Sequence, residues 1–262
     1  MTSRSRFLLL ALACAILFLG VIRLGDLAGY DDAVFATQAK NVVESGDWLS
    51  RSVRGKPAVE HPPLFVWEQA VFLLMFGISD IAAKAPAALS AIGTVLLTYW
   101  LARRFVRDSL DASVAMFIML ATPYFIKYGS HAMTDVPTTF LFVCAVGAWL
   151  LVERDPRWCL AAGAFTALAL LTRGFIGFAL PMMFAIDVVV AKRAVPKRYL
   201  AAAFLIAVAP LAALYAVLLL KNSDYFVSEQ KRWLSVEVYG AFPSWWRRYT
   251  GAIEYALMLL KS

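Results

Sequence analysis

The chain has 262 residues, of which 61% are apolar and 16% charged, with a formal net charge of +7, a pI near 9.4 and a mean hydropathy of +0.70. Those values exclude a soluble globular domain, because so apolar a surface must face lipid. In a soluble protein the positive charge would point to nucleic acid, but here the basic residues stand at the ends of apolar runs, where the positive-inside bias places them, and nucleic acid is not expected as a partner.

At the amino terminus Arg4 and Arg6 precede the apolar run Phe7 to Ile22. The run is long and lacks a clean small-x-small cleavage site, so it is read as an uncleaved first transmembrane helix and not as a signal peptide. A lipobox at Cys14 is imperfect, since Ala11 stands where a larger aliphatic residue is usual. Cys14, Cys144 and Cys159 all fall in apolar segments without metal-ligand spacing and read as small buried hydrophobes. A spanning helix needs about 20 mostly apolar residues, and the runs near that length are 6–25, 80–102, 109–126, 136–152, 158–172, 174–191 and 199–220. A further run from Gly251 reaches the last residue, Ser262, after about ten residues. The expected fold is therefore an all-α polytopic bundle of about seven to eight spans, one transmembrane module over 1–262 that belongs to a longer protein.

Arg4/Arg6, Arg103/Arg104/Arg107, Arg154/Arg157 and Lys192/Arg193/Lys197/Arg198 occupy every second connection and mark the cytoplasmic side. By parity the first loop (26–79), the connection through Lys127 to Asp135, the turn Thr172-Arg173-Gly174 and a second large loop (221–250) lie outside. This assignment makes 64–78 an amphipathic or re-entrant helix, too short to span and interrupted by Glu68 and Gln69. Ala33 to Glu44 is weakly amphipathic and predicts a juxtamembrane surface helix, ended at Ser45-Gly46-Asp47 because glycine admits the left-handed conformation. Pro62-Pro63 forces an extended entry into the next helix, fixing where Glu60 and His61 point. No internal repeat or low-complexity linker is present.

The first outer loop is a polar island in an apolar chain. Asp31 and Asp32 are candidate catalytic carboxylates; the alternative is a solvated loop pair, with Asp32 placed to cap the helix starting near Ala33. Asp135 is placed to cap the helix beginning near Val136, and it also supplies the second carboxylate that a base-plus-acceptor site needs. Glu60-His61 offers either a metal-ligating step or a proton or hydrogen bond to a phosphate, with His131 the only other histidine. No cofactor is called for by these residues, and a divalent metal is left open. Arg173 either snorkels to headgroups or contacts an anionic substrate, with Gly174 beside it allowing close approach. Lys231 and Arg232 lie among Tyr225, Phe226 and Trp233, a mixture that suits an aromatic belt and a docking surface for a lipid-linked phosphate alike.

Five motifs then occur in order: Tyr30-Asp31-Asp32-Ala33-Val34-Phe35, Glu44-Ser45-Gly46-Asp47-Trp48-Leu49, Glu60-His61-Pro62-Pro63-Leu64-Phe65-Val66-Trp67, Thr134-Asp135-Val136-Pro137 and Leu171-Thr172-Arg173-Gly174. Together they resemble the membrane glycosyltransferases of the GT-C class, specifically the aminoarabinose transferase and protein mannosyltransferase-like group. The resemblance covers almost the whole chain as the amino-terminal transmembrane part of such an enzyme. It implies transfer of a sugar from a polyprenyl-phosphate carrier to a lipid, glycan or protein acceptor at the periplasmic face of a bacterial inner membrane. By the same resemblance Asp31 matches the catalytic carboxylate, Asp32 the adjacent acidic position, Glu60 the acidic residue before Pro-Pro and Asp135 the second acidic position. His61 stands where the aminoarabinose transferases usually have lysine, so the substrate within the group stays open.

The chemistry agrees with the residues: displacing a phosphate from an anomeric carbon needs a base for an incoming hydroxyl and cations for the departing phosphate. Asp31 is the expected base, or the acceptor-positioning group if the acceptor is already ionised, and Arg173 with Lys56 or His61 would steady the phosphate. One carboxylate acting on the far face of the sugar implies inversion. The competing readings are a transporter or flippase of lipid-linked sugars, which would hold its charges at mid-membrane depth, and a noncatalytic membrane subunit.

Overall fold

A computed structural model describes residues 3–27, 30–49, 51–53, 55–59, 61–105 and 109–234. The described chain is helical apart from one minimal hairpin: α1 (Ser3–Val21), α2 (Tyr30–Ser45), β1 (Ser52–Val53), β2 (Lys56–Pro57), α3 (Leu64–Phe76), α4 (Asp80–Phe105), α5 (Ser109–Leu120), α6 (Pro123–Gly129), α7 (Asp135–Leu150), α8 (Trp158–Arg173), a 3-10 helix (Gly174–Phe178), α9 (Ala179–Val190) and α10 (Lys197–Leu234). It divides into two compact units, 1–213 and 214–262. The first contains every element through α9 and the opening of α10; the second, where described, is the remainder of α10.

An all-α membrane bundle is what the hydropathy demands, because a segment in lipid must satisfy its backbone hydrogen bonds internally. α4 and the Lys197–Lys221 part of α10 are long and apolar enough to cross a membrane. The run Trp158–Val190 also passes on length and composition, but it is folded back on itself. A methyl added at Gly177 would stand 2.9 Å from the Leu170 Cα, and Leu180 and Phe184 share a core with Cys159 and Ala162, contacts that one straight helix cannot make. The reversal falls at Gly174, whose φ of 58° is in the left-handed region, so α8 and α9 form an antiparallel hairpin, as the expected break at Thr172-Arg173-Gly174 requires.

The expected span at 109–126 is broken in two. α5 and α6 meet at an angle of 69°, because Pro123 cannot donate to the preceding turn and holds Thr122 extended (ψ 109°). α1, α3 and α7 are apolar but shorter than a full span. α3, with 13 residues, reaches only about 20 Å. It packs between α2 and α4 as a surface layer, in a core of Phe35, Ala39, Val42, Phe65, Val66, Ala70, Ala83 and Ala87. The helix forecast for 33–44 begins three residues earlier, at Tyr30, and ends as expected at Gly46, whose φ is 70°. α10 runs on past the expected end at residue 220 to Leu234, so Lys221 and Lys231 are helical.

The alanines of α4 let several neighbours approach it closely. Its opening turns, through Ala82, Ala83 and Ala87, take the α2–α3 layer, and further along Ala88, Ala91 and Val95 pack on Cys14 and Phe18 of α1 and Met116 of α5. Buried Lys84 donates to the Gly25 carbonyl (2.7 Å), and Asp80 accepts from the Leu27 amide (3.3 Å), which tethers the turn after α1 to the start of α4. All three cysteines are free; Cys14 and Cys159 are buried as expected, whereas Cys144 is half-buried.

Backbone approaches backbone where Gly163 of α8 meets Ala203 of α10; a methyl on Gly163 would lie 2.5 Å from the Ala203 carbonyl oxygen. Gly163→Val is therefore expected to cost about 1–3 kcal/mol through overpacking, seen as a lowered thermal unfolding midpoint in detergent. A control change at Gly20, where the added atom meets nothing within 4 Å, should move it less.

Candidate active site

Two ion-pair systems define the two ends of the helical bundle. At one end the Arg173 Nη1 at the tip of the α8–α9 hairpin donates to Asp135 Oδ1 (2.5 Å) and to Thr134 Oγ1 (3.3 Å) at the start of α7. At the other, Arg193 pairs with Asp187 (2.7 Å) and Glu153 (3.4 Å), Trp149 Nε1 donates to Asp187 (2.7 Å), and Arg104 donates to the Leu150 carbonyl (2.9 Å). α7 and α9 are thus parallel to each other and antiparallel to α8. The arginines at 104 and 193 gather at one end and the acidic candidates at the other, as the parity of the basic loops requires.

The acidic end is built from four pieces of chain. On α2, Asp31 and Asp32 are helical residues of the first turn, where carboxylates favour the positive end of the helix dipole. The capping role considered for Asp32 does not occur, because the helix begins at Tyr30 and Asp32 Oδ2 instead contacts His131 Nδ1 at 2.5 Å. Asp32 is 1% exposed, whereas Asp31, about 100° further round the helix, is exposed and has no hydrogen-bond or ion-pair partner among the described residues. Asp135 does not cap either: Thr134 holds the N-cap position and Asp135 is the first helical residue, its carboxylate turned to Arg173.

One turn beyond Asp31 and Asp32, Phe35 packs against His61 with ring centroids 5.5 Å apart and the planes tilted by 42°. Next along the same face Gln38 accepts from Arg51 Nη1 (3.1 Å), and Arg51 Nη2 donates to the His61 carbonyl (2.6 Å). Arg51 is 5% exposed, a guanidinium used as an internal strut that holds His61 against α2. The hairpin carrying it is fastened by the Asn41 side chain, which donates to the Ser52 carbonyl (2.8 Å). His61 is close enough to the site for its charges to be felt: burial, with the guanidiniums of Arg173 and Arg51, pushes its imidazole down to about 4 against an opposing pull from Asp135. At neutral pH His61 is therefore a neutral hydrogen-bonding group, which removes the cationic role considered for it beside Arg173.

His61, Asp135 and Arg173 are thus brought together, and Asp32 joins this end through His131, in the connection that leads to Asp135. The Arg173 Nε is buried with no partner among the described residues, so the guanidinium keeps donor capacity beyond its bonds to α7. A cavity of about 310 Å³ opens beside it, lined by Asp135, Thr138, Thr139, Phe142, Arg173 and Ile176. Lys56 lies on β2, Lys231 is exposed on α10, and Glu60 and the Arg232 side chain fall outside the described residues. Among the described residues no cluster of three or more His, Cys, Asp or Glu could hold a metal ion. His131 and Arg51 were not singled out from the sequence as site residues. For His131 the available signal was its place four residues before Asp135 in the same outer connection; nothing local marks Arg51.

The class defined by this architecture is a polytopic helical membrane protein with an acidic and cationic site at one end of the bundle. Residues 60–229 match the dolichyl-phosphate-mannose-protein mannosyltransferase family, and the chain belongs to that family of GT-C membrane glycosyltransferases. An uncharacterized protein of Aquifex aeolicus is 28% identical over 179 residues, 67% of this chain and 36% of that protein. The undecaprenyl phosphate-alpha-4-amino-4-deoxy-L-arabinose arabinosyl transferase of Edwardsiella ictaluri is 28% identical over 169 residues, 62% of this chain and 31% of that protein. The chain thus spans about a third of the length of these curated relatives. The fold is shared with ArnT from Cupriavidus metallidurans bound to undecaprenyl phosphate (TM-score 0.73, 20% identity, 85% of this chain and 43% of that one). The apo form of that protein gives a TM-score of 0.75 at 21% identity, covering 86% and 44%.

The depressed His61 value gives a pH prediction. Between about pH 6.5 and 4 the unfolded chain protonates this imidazole and the folded chain does not, so His61 lowers stability as the pH falls through that window. His61→Gln, which cannot titrate, is expected to lose less thermal stability than the wild type between pH 6.5 and 4.5, measured by unfolding in detergent.

Proposed function

We propose that this chain is the membrane-embedded part of a glycosyltransferase that takes a sugar from a polyprenyl-phosphate carrier and passes it to a lipid, glycan or protein acceptor. The observation that carries the proposal is the convergence of His61, Asp135 and Arg173, with the Asp32–His131 pair in the adjoining connection, at the bundle end opposite Arg104 and Arg193. Family membership and the printed activity of the Edwardsiella ictaluri relative support the same reaction. The positive-inside bias supports placing the acidic end at the periplasmic face of a bacterial inner membrane, with the arginine-rich end in the cytoplasm. The site stands at the bundle end, unlike the mid-membrane charges of a transporter.

The donor phosphate would lie in the cavity that Arg173 lines, where the guanidinium charge would stabilise the charge that develops as the anomeric C–O bond breaks. Neutral His61 can donate one hydrogen bond to the same phosphate. An acceptor oxygen attacks the anomeric carbon from the opposite side, with Asp31 as its base or its positioning group, and one displacement inverts the configuration.

Full-length protein supplied with a panel of polyprenyl-phosphate sugars, with products read by mass spectrometry, tests the reaction. Arg173→Ala is expected to lower turnover by at least ~100-fold, the scale of losing a charge-stabilising donor. Product NMR should show the anomer opposite to the donor's; a retained anomer would sink the single-displacement reading, and movement of donor across vesicles without transfer would sink the transferase.

A further inference from the structure

We infer that His131 is the general base of this site and that buried Asp32 acts through it. The inference rests on the transfer reaction proposed above and deepens it. Asp32 is 1% exposed and on the first turn of α2, so its carboxylate cannot itself reach an incoming acceptor. What it reaches is His131 Nδ1, at 2.5 Å and 99 residues away in sequence. A carboxylate only accepts hydrogen bonds, so in the neutral ring that the proposed step requires Nδ1 is the donor to Asp32 and Nε2 holds the lone pair. The imidazole side chain is 36% exposed, in the connection that leads within four residues to Asp135 and its partner Arg173.

This arrangement supplies what proton abstraction needs. The buried carboxylate fixes the tautomer and orientation of the ring and stabilises the imidazolium that forms on abstraction, while the ring itself stays partly exposed. In the step, the acceptor hydroxyl oxygen bonds to the anomeric carbon and gives its proton to His131 Nε2. The bond from that carbon to the phosphate oxygen breaks with its electron pair, leaving polyprenyl phosphate, and the imidazolium returns its proton to solvent. Asp31, exposed and unpaired among the described residues, is then the group that orients the acceptor.

A structural strut between α2 and the start of α7 is the alternative, and two variants separate them. His131→Gln keeps an amide donor for Asp32 and removes the base; His131→Ala removes both and leaves a space that free imidazole can enter. With full-length protein, a donor that the wild type uses and a hydroxyl acceptor, both variants are expected to lose at least ~100-fold in kcat with donor KM changed little. Added imidazole should restore part of the His131→Ala rate. Near wild-type activity of His131→Gln would show a strut and overturn the base, as would loss in His131→Ala that imidazole does not relieve. Transfer confined to already ionised phosphate acceptors would overturn it too. If the wild type transfers from no donor, the transferase reading falls and the base with it; if the wild type transfers and His131→Gln does so equally, only the base falls.

Discussion

The ion pair between Arg173 and Asp135 is the contact on which the rest of the site depends. Arg173 ends α8 at the hairpin reversal, and Asp135 begins α7, so one charge-assisted bond aligns two helix ends from different parts of the chain. A guanidinium at the edge of an apolar bundle is costly without a partner. Pairing it with a carboxylate at a helix N-terminus satisfies both, since the dipole there also favours the negative charge. The opposite end repeats the logic with Arg193, Asp187 and Glu153. With a pair at each end, α7, α8 and α9 are set in register along their length, and Trp149 stacks on Phe184 at the Arg193 end.

The second constraint comes from the layer of α2 and α3 laid over α4. Short apolar helices do not span, so they bury one face on the bundle and leave the other available. α2 packs through Phe35, Ala39 and Val42, and that packing turns Asp32 inward and Asp31 outward. Arg51 then locks the His61 turn to Gln38 from inside. Arg51 donates to a side-chain amide and to a backbone carbonyl, which hold the His61 segment in position. Its guanidinium is also one of the causes, after burial and Arg173, that keep His61 neutral. The site combines a firmly bonded wall, made of Arg51, His61 and Arg173, with a wall on α2 whose two carboxylates have opposite environments.

Adjacent carboxylates in a helix point about 100° apart, so Asp31-Asp32 could never have been an equivalent pair once the segment was helical. Treating Asp32 as a cap placed the start of α2 three residues late. The error came from the weak amphipathic pattern of that helix, whose apolar periodicity becomes clear only from Ala33 onward. The break in the expected span at 109–126 had a visible cause in Pro123, whose effect was outweighed by continuous hydropathy on both sides. The hairpin at Thr172-Arg173-Gly174 was legible because glycine and a charged residue interrupt an apolar run together. Arg51 and His131 carried no such local mark: one is a basic residue in a loop, the other a histidine beside a helix start, and both owe their importance to partners distant in sequence.

The sequence by itself determined the solvent, the helical class, the alternation of basic connections and therefore which polar residues share an end of the bundle. Those follow from composition and from the requirement that backbone groups be satisfied within each segment in lipid. Tertiary structure alone decided which carboxylate is buried, which histidine it meets, and which guanidinium retains free donor capacity. The physical reason is that ionisable groups at an apolar boundary take their roles from the partners that packing brings within hydrogen-bond distance, and those partners come from chain segments up to 99 residues apart.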